Sequence, residues 1–117
     1  LDQKSKTIPT IELRGEKDTL YVYEDEIMYA EKNGNYAHVT LTEGRQIAVL
    51  STMQNLYTQV SAFEHLFPIS EQAFVNVSFI EKLTLLKLSM RGGKSFTISP
   101  LEIASVKKAM EAYRKLT

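Results

Sequence analysis

Few side chains in this sequence are suited to chemistry, and they are scattered. His38 and His65 are the two histidines, and there are no cysteines. The absence of cysteine removes disulfides and thiolate ligation. Two isolated histidines fall short of the three or four protein ligands that zinc takes, so no metal site is expected. Glu24-Asp25-Glu26 gathers three carboxylates, which would suit acid–base work or cation binding, but a solvated turn explains them as well. The sequence holds no G-x-S-x-G, no phosphate-cradling glycine loop and no H-E-x-x-H. Gly92-Gly93 is accounted for by a hairpin turn. Tyrosines 21, 23, 29, 36, 57 and 113 have ring faces able to stack on bases, yet most fall where strand or helix periodicity points to a core. The expectation is therefore no enzyme, no cofactor and no small-molecule substrate.

Charge gives a second kind of chemistry. The formal net charge is zero, but it is unevenly spread. Residues 1–31 carry eight acids and four bases, and residues 82–117 carry two acids and eight bases. That basic third comprises Lys82, Lys87, Arg91, Lys94, Lys107, Lys108, Arg114 and Lys115. Clustered, these could hold a polyanion such as DNA. Spread out, they would be a solvated surface meeting acids from the first third.

The elements that must position these groups follow from patterning. Residues 1–9 read as a linker end, and the start at Leu1 without methionine suggests a piece of a longer protein. Thr10–Arg14, Leu20–Tyr23 and Ile27–Ala30 read as strands, the first by alternation. Gly15–Asp18 is a turn, and Glu24-Asp25-Glu26 interrupts the run. Asn33-Gly34-Asn35 is a strong turn signal, since both residue types tolerate positive φ. Tyr36–Thr42 then alternates, with Ala37, Val39 and Leu41 on one face. Glu43-Gly44 turns into a strand from Gln46 to Leu50. Ser51 or Thr52 caps a helix carrying Met53, Leu56, Tyr57 and Val60, ending near Ser61. Residues 63–73 read as irregular, because Pro68 argues against a central strand. Phe74–Val77 is a short extended piece, and Leu83–Met90 reads as one strand. Arg91–Lys94 is a hairpin turn leading to Phe96–Ile98. Ser99, Pro100 and Glu102 start a C-terminal helix. Its apolar stripe is Leu101, Ile103, Ala104, Val106, Met110, Tyr113 and Leu116.

These 117 residues fit one domain, and 44% hydrophobic with 24% charged residues fits a folded core rather than disorder. The apolar runs are too short to span a membrane, and a cytoplasmic setting is expected. The fold class is mostly β: about seven short strands, one short internal helix and one C-terminal helix. Closely spaced turns favour antiparallel pairing, and no repeated βαβ unit points to a Rossmann-like sheet.

One set of motifs narrows this further. Asp25–Tyr36 has the order of an acidic opening, an apolar run, an acidic residue and Gly-Asn-Tyr in a turn. Val39–Gly44 follows as a strand and turn, and Leu56 falls in the next helix. Phe74-Val75-Asn76-Val77-Ser78-Phe79-Ile80 has an apolar-Val-Asn-apolar-x-aromatic-Ile pattern. Lys94–Ser99 leads to a position where Val-Ser-Arg is expected. In order and spacing these resemble the LytTR DNA-binding domains over residues 10–116. The resemblance implies a small antiparallel β domain at residues 10–117 and a role as DNA-binding output of a bacterial response regulator. It implies binding of double-stranded DNA at direct repeats, as two copies, through loops in successive major grooves. It also implies a preceding receiver or sensor domain.

The sequence departs from that family at three positions. The usual Arg-x-His-basic-Ser-Tyr segment is Pro68-Ile69-Ser70-Glu71-Gln72-Ala73 here, so Ser70 and Glu71 stand where a histidine and a basic or amide residue are usual. Pro100 replaces the arginine of Val-Ser-Arg. A carboxylate at 71 repels phosphate, although Glu can accept from a cytosine amino group and Gln72 can pair with adenine. Three functions follow. In the first, DNA is contacted by Lys32, Asn33 and Asn35 in one loop and by Ser70, Glu71 and Gln72 in another. Arg91 and Lys94 then meet phosphates by virtue of charge. In the second, the fold has lost DNA binding and serves protein interaction. The third, an enzyme, lacks any supporting constellation.

Overall fold

The computed structural model describes residues 9–116, with side chains as far as Arg114. Residues 1–8 of the expected linker lie outside that range, as does the Lys115 side chain. Among the described residues, ten strands and two α-helices follow one another. Strands β1 (Thr10–Arg14) and β2 (Thr19–Tyr23) form an antiparallel ribbon. A five-stranded antiparallel sheet comprises β3 (Ile27–Asn33), β4 (Tyr36–Leu41), β5 (Gln46–Val49), β6 (Leu66–Ser70) and β7 (Ala73–Asn76), in the order β5-β4-β3-β7-β6. A three-stranded sheet is ordered β10-β9-β8, from β8 (Ile80–Thr84), β9 (Lys87–Met90) and β10 (Ser95–Thr97). Helix α1 spans Met53–Val60 and α2 spans Pro100–Leu116. No helix among the described residues is long and apolar enough to cross a membrane.

The five-stranded sheet buries both faces, because successive side chains point opposite ways. On one face Ala30, Ala37, Val39, Leu41, Val49 and Phe74 meet Met53, Leu56 and Val60 of α1 and Ile11, Leu13 and Val22 of the ribbon. The ribbon is fastened to α1 by Gln59, whose Oε1 accepts from the Glu12 N–H at 2.6 Å while its Nε2 donates to the Glu12 carbonyl at 3.1 Å. On the other face Tyr29, Ile69, Ala73 and Val75 pack with Leu88, Met90 and Ile98 and with Ile103 and Val106 of α2. A bulge in β3 allows one extra residue between Ile27 and Tyr29, so that Met28 and Tyr29 both serve the second cluster.

The helix starts follow their signals. The Thr52 hydroxyl accepts from the Asn55 N–H at 3.1 Å, and Ser99 from the Glu102 N–H at 3.3 Å. Three expectations need correction. Residues 66–70 form a strand, not an irregular segment: β6 is the outermost strand of its sheet, where a proline lacking its N–H does no harm. Leu83–Met90 is not one strand but the hairpin of β8 and β9, turned at Leu85-Leu86 with Leu86 at φ 72°. No glycine or asparagine marks that turn, and its two leucines are exposed. The apolar stripe of α2 is narrower than expected, since Leu101 is 84% exposed. The mostly β, antiparallel architecture with one internal and one C-terminal helix is as expected.

Candidate nucleic-acid interface

The strand order brings two distant turns to one end of the five-stranded sheet. β3 pairs with β4 through the 34–35 turn and with β7 on its other side. β7 pairs with β6 through the 71–72 turn. Because β3 and β7 are neighbours, these two turns stand side by side, and the Lys32 N–H donates to the Gln72 carbonyl at 2.7 Å. Gly34 adopts φ 66° and Asn35 does not take positive φ, an arrangement that suits a tight two-residue hairpin. The N-terminal end of α1 forms the third wall. Together they enclose an open groove of about 580 Å³, lined by Lys32, Gly34, Asn35, Tyr36, Gln54, Tyr57, Glu71 and Gln72, with residues 51–53 beside them.

Within the 71–72 turn, the Gln72 N–H donates to the Ser70 hydroxyl at 3.1 Å. From α1, the Tyr57 hydroxyl donates toward the carbonyl oxygens of Ser70 and Ala73, the latter at 2.9 Å. Burial pushes the Tyr57 pKa up, and the Glu71 carboxylate adds to the rise. A raised tyrosine pKa favours the neutral phenol in the folded state. Its contribution to stability is therefore complete below about pH 10, where unfolded tyrosine ionises, and is lost as pH climbs through the higher folded value. Urea unfolding above pH 10 is expected to show wild type losing stability faster with pH than Tyr57→Phe; parallel curves would refute this.

Of the expected contact residues, Lys32, Asn35, Glu71 and Gln72 line the groove, with Ser70 at the base of the same turn. Asn33 ends β3, opposite Tyr36, and is exposed beside the groove rather than in its lining. Arg91 and Lys94 do not join them. Their turn belongs to the three-stranded sheet, and Lys94 Nζ is 2.8 Å from Glu31 Oε2. Glu31 and Lys32 are consecutive in β3, so they project from opposite faces. Lys94 Nζ also lies 5.2 Å from the Phe96 ring centre, and the Arg91 guanidinium 5.5 Å from that of Phe79. Lys107 and Lys108 are carried by α2, which packs on that second face too. The basic residues are thus divided between the two faces of the sheet, with Lys32 on the groove side.

The other candidates have structural work. Glu24 Oε2 accepts from the His65 N–H at 2.8 Å and lies 3.7 Å from His65 Nδ1. The His65 ring stands edge-on to Tyr113 at 4.8 Å. Glu26 Oε1 accepts from the Tyr23 N–H at 2.8 Å. Glu24 and Glu26 are therefore committed to backbone fastening, and Asp25 between them is exposed. Sequence reasoning missed Tyr57 and Gln54 as groove residues. Helical spacing grouped Tyr57 with Met53, Leu56 and Val60, and no local pattern shows its hydroxyl reaching a turn 13 residues away.

A family model described as the LytTr DNA-binding domain matches residues 17–111. Among solved structures, the fold is similar to a LytTr DNA-binding domain from Bacillus cereus, assigned to a methyl-accepting/DNA response regulator. That likeness has a TM-score of 0.67 at 18% identity and covers 87% of this chain and 96% of that one. No curated protein sequence matches the chain significantly.

Proposed function

The chain belongs to the LytTR DNA-binding domain family, and on that footing we propose that it is the DNA-binding output domain of a bacterial transcriptional regulator of the response-regulator type. In this reading residues 10–117 are the DNA-binding unit and residues 1–9 the end of a linker from a receiver or sensor domain. The unit works in the cytoplasm, catalyses nothing, and reads a direct repeat as two copies through loops in the major groove. One observation carries the reading. Two polar turns, holding Asn35, Glu71 and Gln72, stand together with Lys32 of β3 at one end of the five-stranded sheet. Asn and Gln can pair bidentately with adenine, Lys can donate to guanine, and Glu can accept from cytosine. Turns anchored at strand ends are displayed without the freedom of a long loop, which lowers the ordering cost of binding.

The test is selection from random duplexes, followed by affinity measurement across salt concentrations. The expected result is an enriched repeated motif and a linear fall of log affinity with log salt, at about 0.9 for each phosphate neutralised. No binding at low salt, or an affinity indifferent to salt, defeats the proposal. A second reading, a LytTR fold turned to protein interaction, draws support from Glu71 in the groove and from the pairing of Lys94 with Glu31. It predicts no enrichment by the parent domain under any salt condition.

A further inference from the structure

Tyr57 links two walls of the groove. It rises from α1, and its hydroxyl reaches the carbonyl oxygens of Ser70 and Ala73, the two residues that bracket Glu71 and Gln72. Its ring stands edge-on to Phe74 with centres 6.1 Å apart, and Phe74 is 1% exposed. The phenol is therefore held at its base by the core and presents its oxygen to the turn. The turn is already closed without it. Ser70 pairs with Ala73 in the β6–β7 ladder, Gln72 bonds the Ser70 hydroxyl, and Lys32 bonds the Gln72 carbonyl. What the Tyr57 hydroxyl adds is a fixed distance between α1 and the turn, and so the width of the groove.

We infer that Tyr57 is a positioning residue for base recognition: its hydroxyl fixes the 71–72 turn against α1, so that Glu71 and Gln72 meet base edges in a preset geometry. The inference rests on the DNA-binding reading above. Base-edge hydrogen bonds need their partners held within about 0.5 Å, whereas attraction to phosphates tolerates small displacements because Coulomb energy changes slowly with distance. Loss of the hydroxyl therefore weakens specific binding and spares non-specific binding.

The experiment compares wild type, Tyr57→Phe and Thr58→Val on two duplexes, the motif selected by wild type and a scrambled version. Tyr57→Phe keeps the ring on Phe74. Thr58→Val removes a hydroxyl that bonds the Gln54 carbonyl within the same helix at 3.1 Å, and so controls for loss of a helix hydrogen bond alone. Tyr57→Phe is expected to weaken binding of the motif by about fivefold, the worth of one neutral hydrogen bond. Its affinity for the scrambled duplex and its salt slope should stay at wild-type values, and Thr58→Val should match wild type throughout. In the free protein, the Gln72 amide should exchange faster in Tyr57→Phe. An unchanged motif-to-scrambled ratio in Tyr57→Phe overturns the inference while leaving the DNA-binding reading intact. The same ratio change in Thr58→Val also overturns it. Failure of wild type to prefer any duplex removes both.

Discussion

Glu71→Arg is expected to strengthen binding to duplex DNA by about tenfold at low salt and to steepen the salt dependence by about one phosphate equivalent. Glu71 is exposed, lines the groove with Lys32, and makes no ion pair or hydrogen bond among the described residues. Its charge is therefore uncompensated where a phosphate lattice would approach. Two unit charges about 6 Å apart in water interact by about 0.7 kcal/mol, so removing a repulsion and adding an attraction together account for about 1.4 kcal/mol, or about a tenfold gain. The gain should shrink as salt rises, because exposed charges beyond a Debye length of about 10 Å at 0.1 M are screened. Base preference should move as well. The parent is expected to favour cytosine opposite residue 71, through its amino group. The arginine variant should favour guanine, through O6 and N7. Anisotropy titrations across salt check the first effect and repeated duplex selection the second. Unchanged affinity in the variant would mean that the 71–72 turn does not face DNA. A motif enriched by the variant alone would mean that the parent has given up the activity.

That prediction draws on a groove that was only half legible in the sequence. The turns themselves were plain. Asn33-Gly34-Asn35 between two alternating strands admits little else, and Gly34 duly takes the positive φ. Their adjacency was not plain, because it depends on β7 inserting beside β3, a pairing between residues more than 40 apart. Short-range patterning cannot show such a contact. The edge strand β6 was hidden for a local reason, since Pro68 is hostile to any strand whose N–H groups must all be bonded. The hairpin at Leu85-Leu86 was hidden for the opposite reason: an unbroken apolar run gives no sign of a turn, and leucine at positive φ is rare. The split of the basic residues between two faces is a fact of side-chain direction and sheet order. Composition, which grouped Arg91, Lys94, Lys107 and Lys108 into one third of the chain, could not show that they lie on the face away from Lys32.

Asn76→Ala is expected to cost about 3 kcal/mol of stability, the largest stability loss predicted for this domain. Asn76 has no solvent exposure, and its amide is almost fully used. Nδ2 donates to the Ile27 carbonyl at 2.9 Å and to the Glu24 carbonyl at 3.1 Å. Oδ1 accepts from the Ser78 N–H at 3.0 Å and from the Ser78 hydroxyl at 2.7 Å. One side chain thereby satisfies the chain where it enters β3 and where it leaves β7. Alanine would leave these groups without partners, and an unsatisfied buried polar group costs about 1–3 kcal/mol. The costs do not add fully, because water reaches the half-buried Glu24 more readily than Ile27. Asn76→Asp sharpens the test. It keeps the acceptor for Ser78 but sets a carboxylate against two carbonyl oxygens, which raises its folded pKa. The neutral form is then the favoured one in the fold, so the penalty should be full at neutral pH and should fade as pH falls toward the ordinary aspartate range. Urea unfolding at pH 7 and pH 4 measures both variants. A loss under about 1 kcal/mol for Asn76→Ala, about the net worth of a single hydrogen bond, would show that the network carries no weight. A large loss in both variants at pH 7, partly recovered at pH 4 by the aspartate alone, would establish that β3 and β7, whose far ends carry the two polar turns, are clamped together from the opposite end by Asn76.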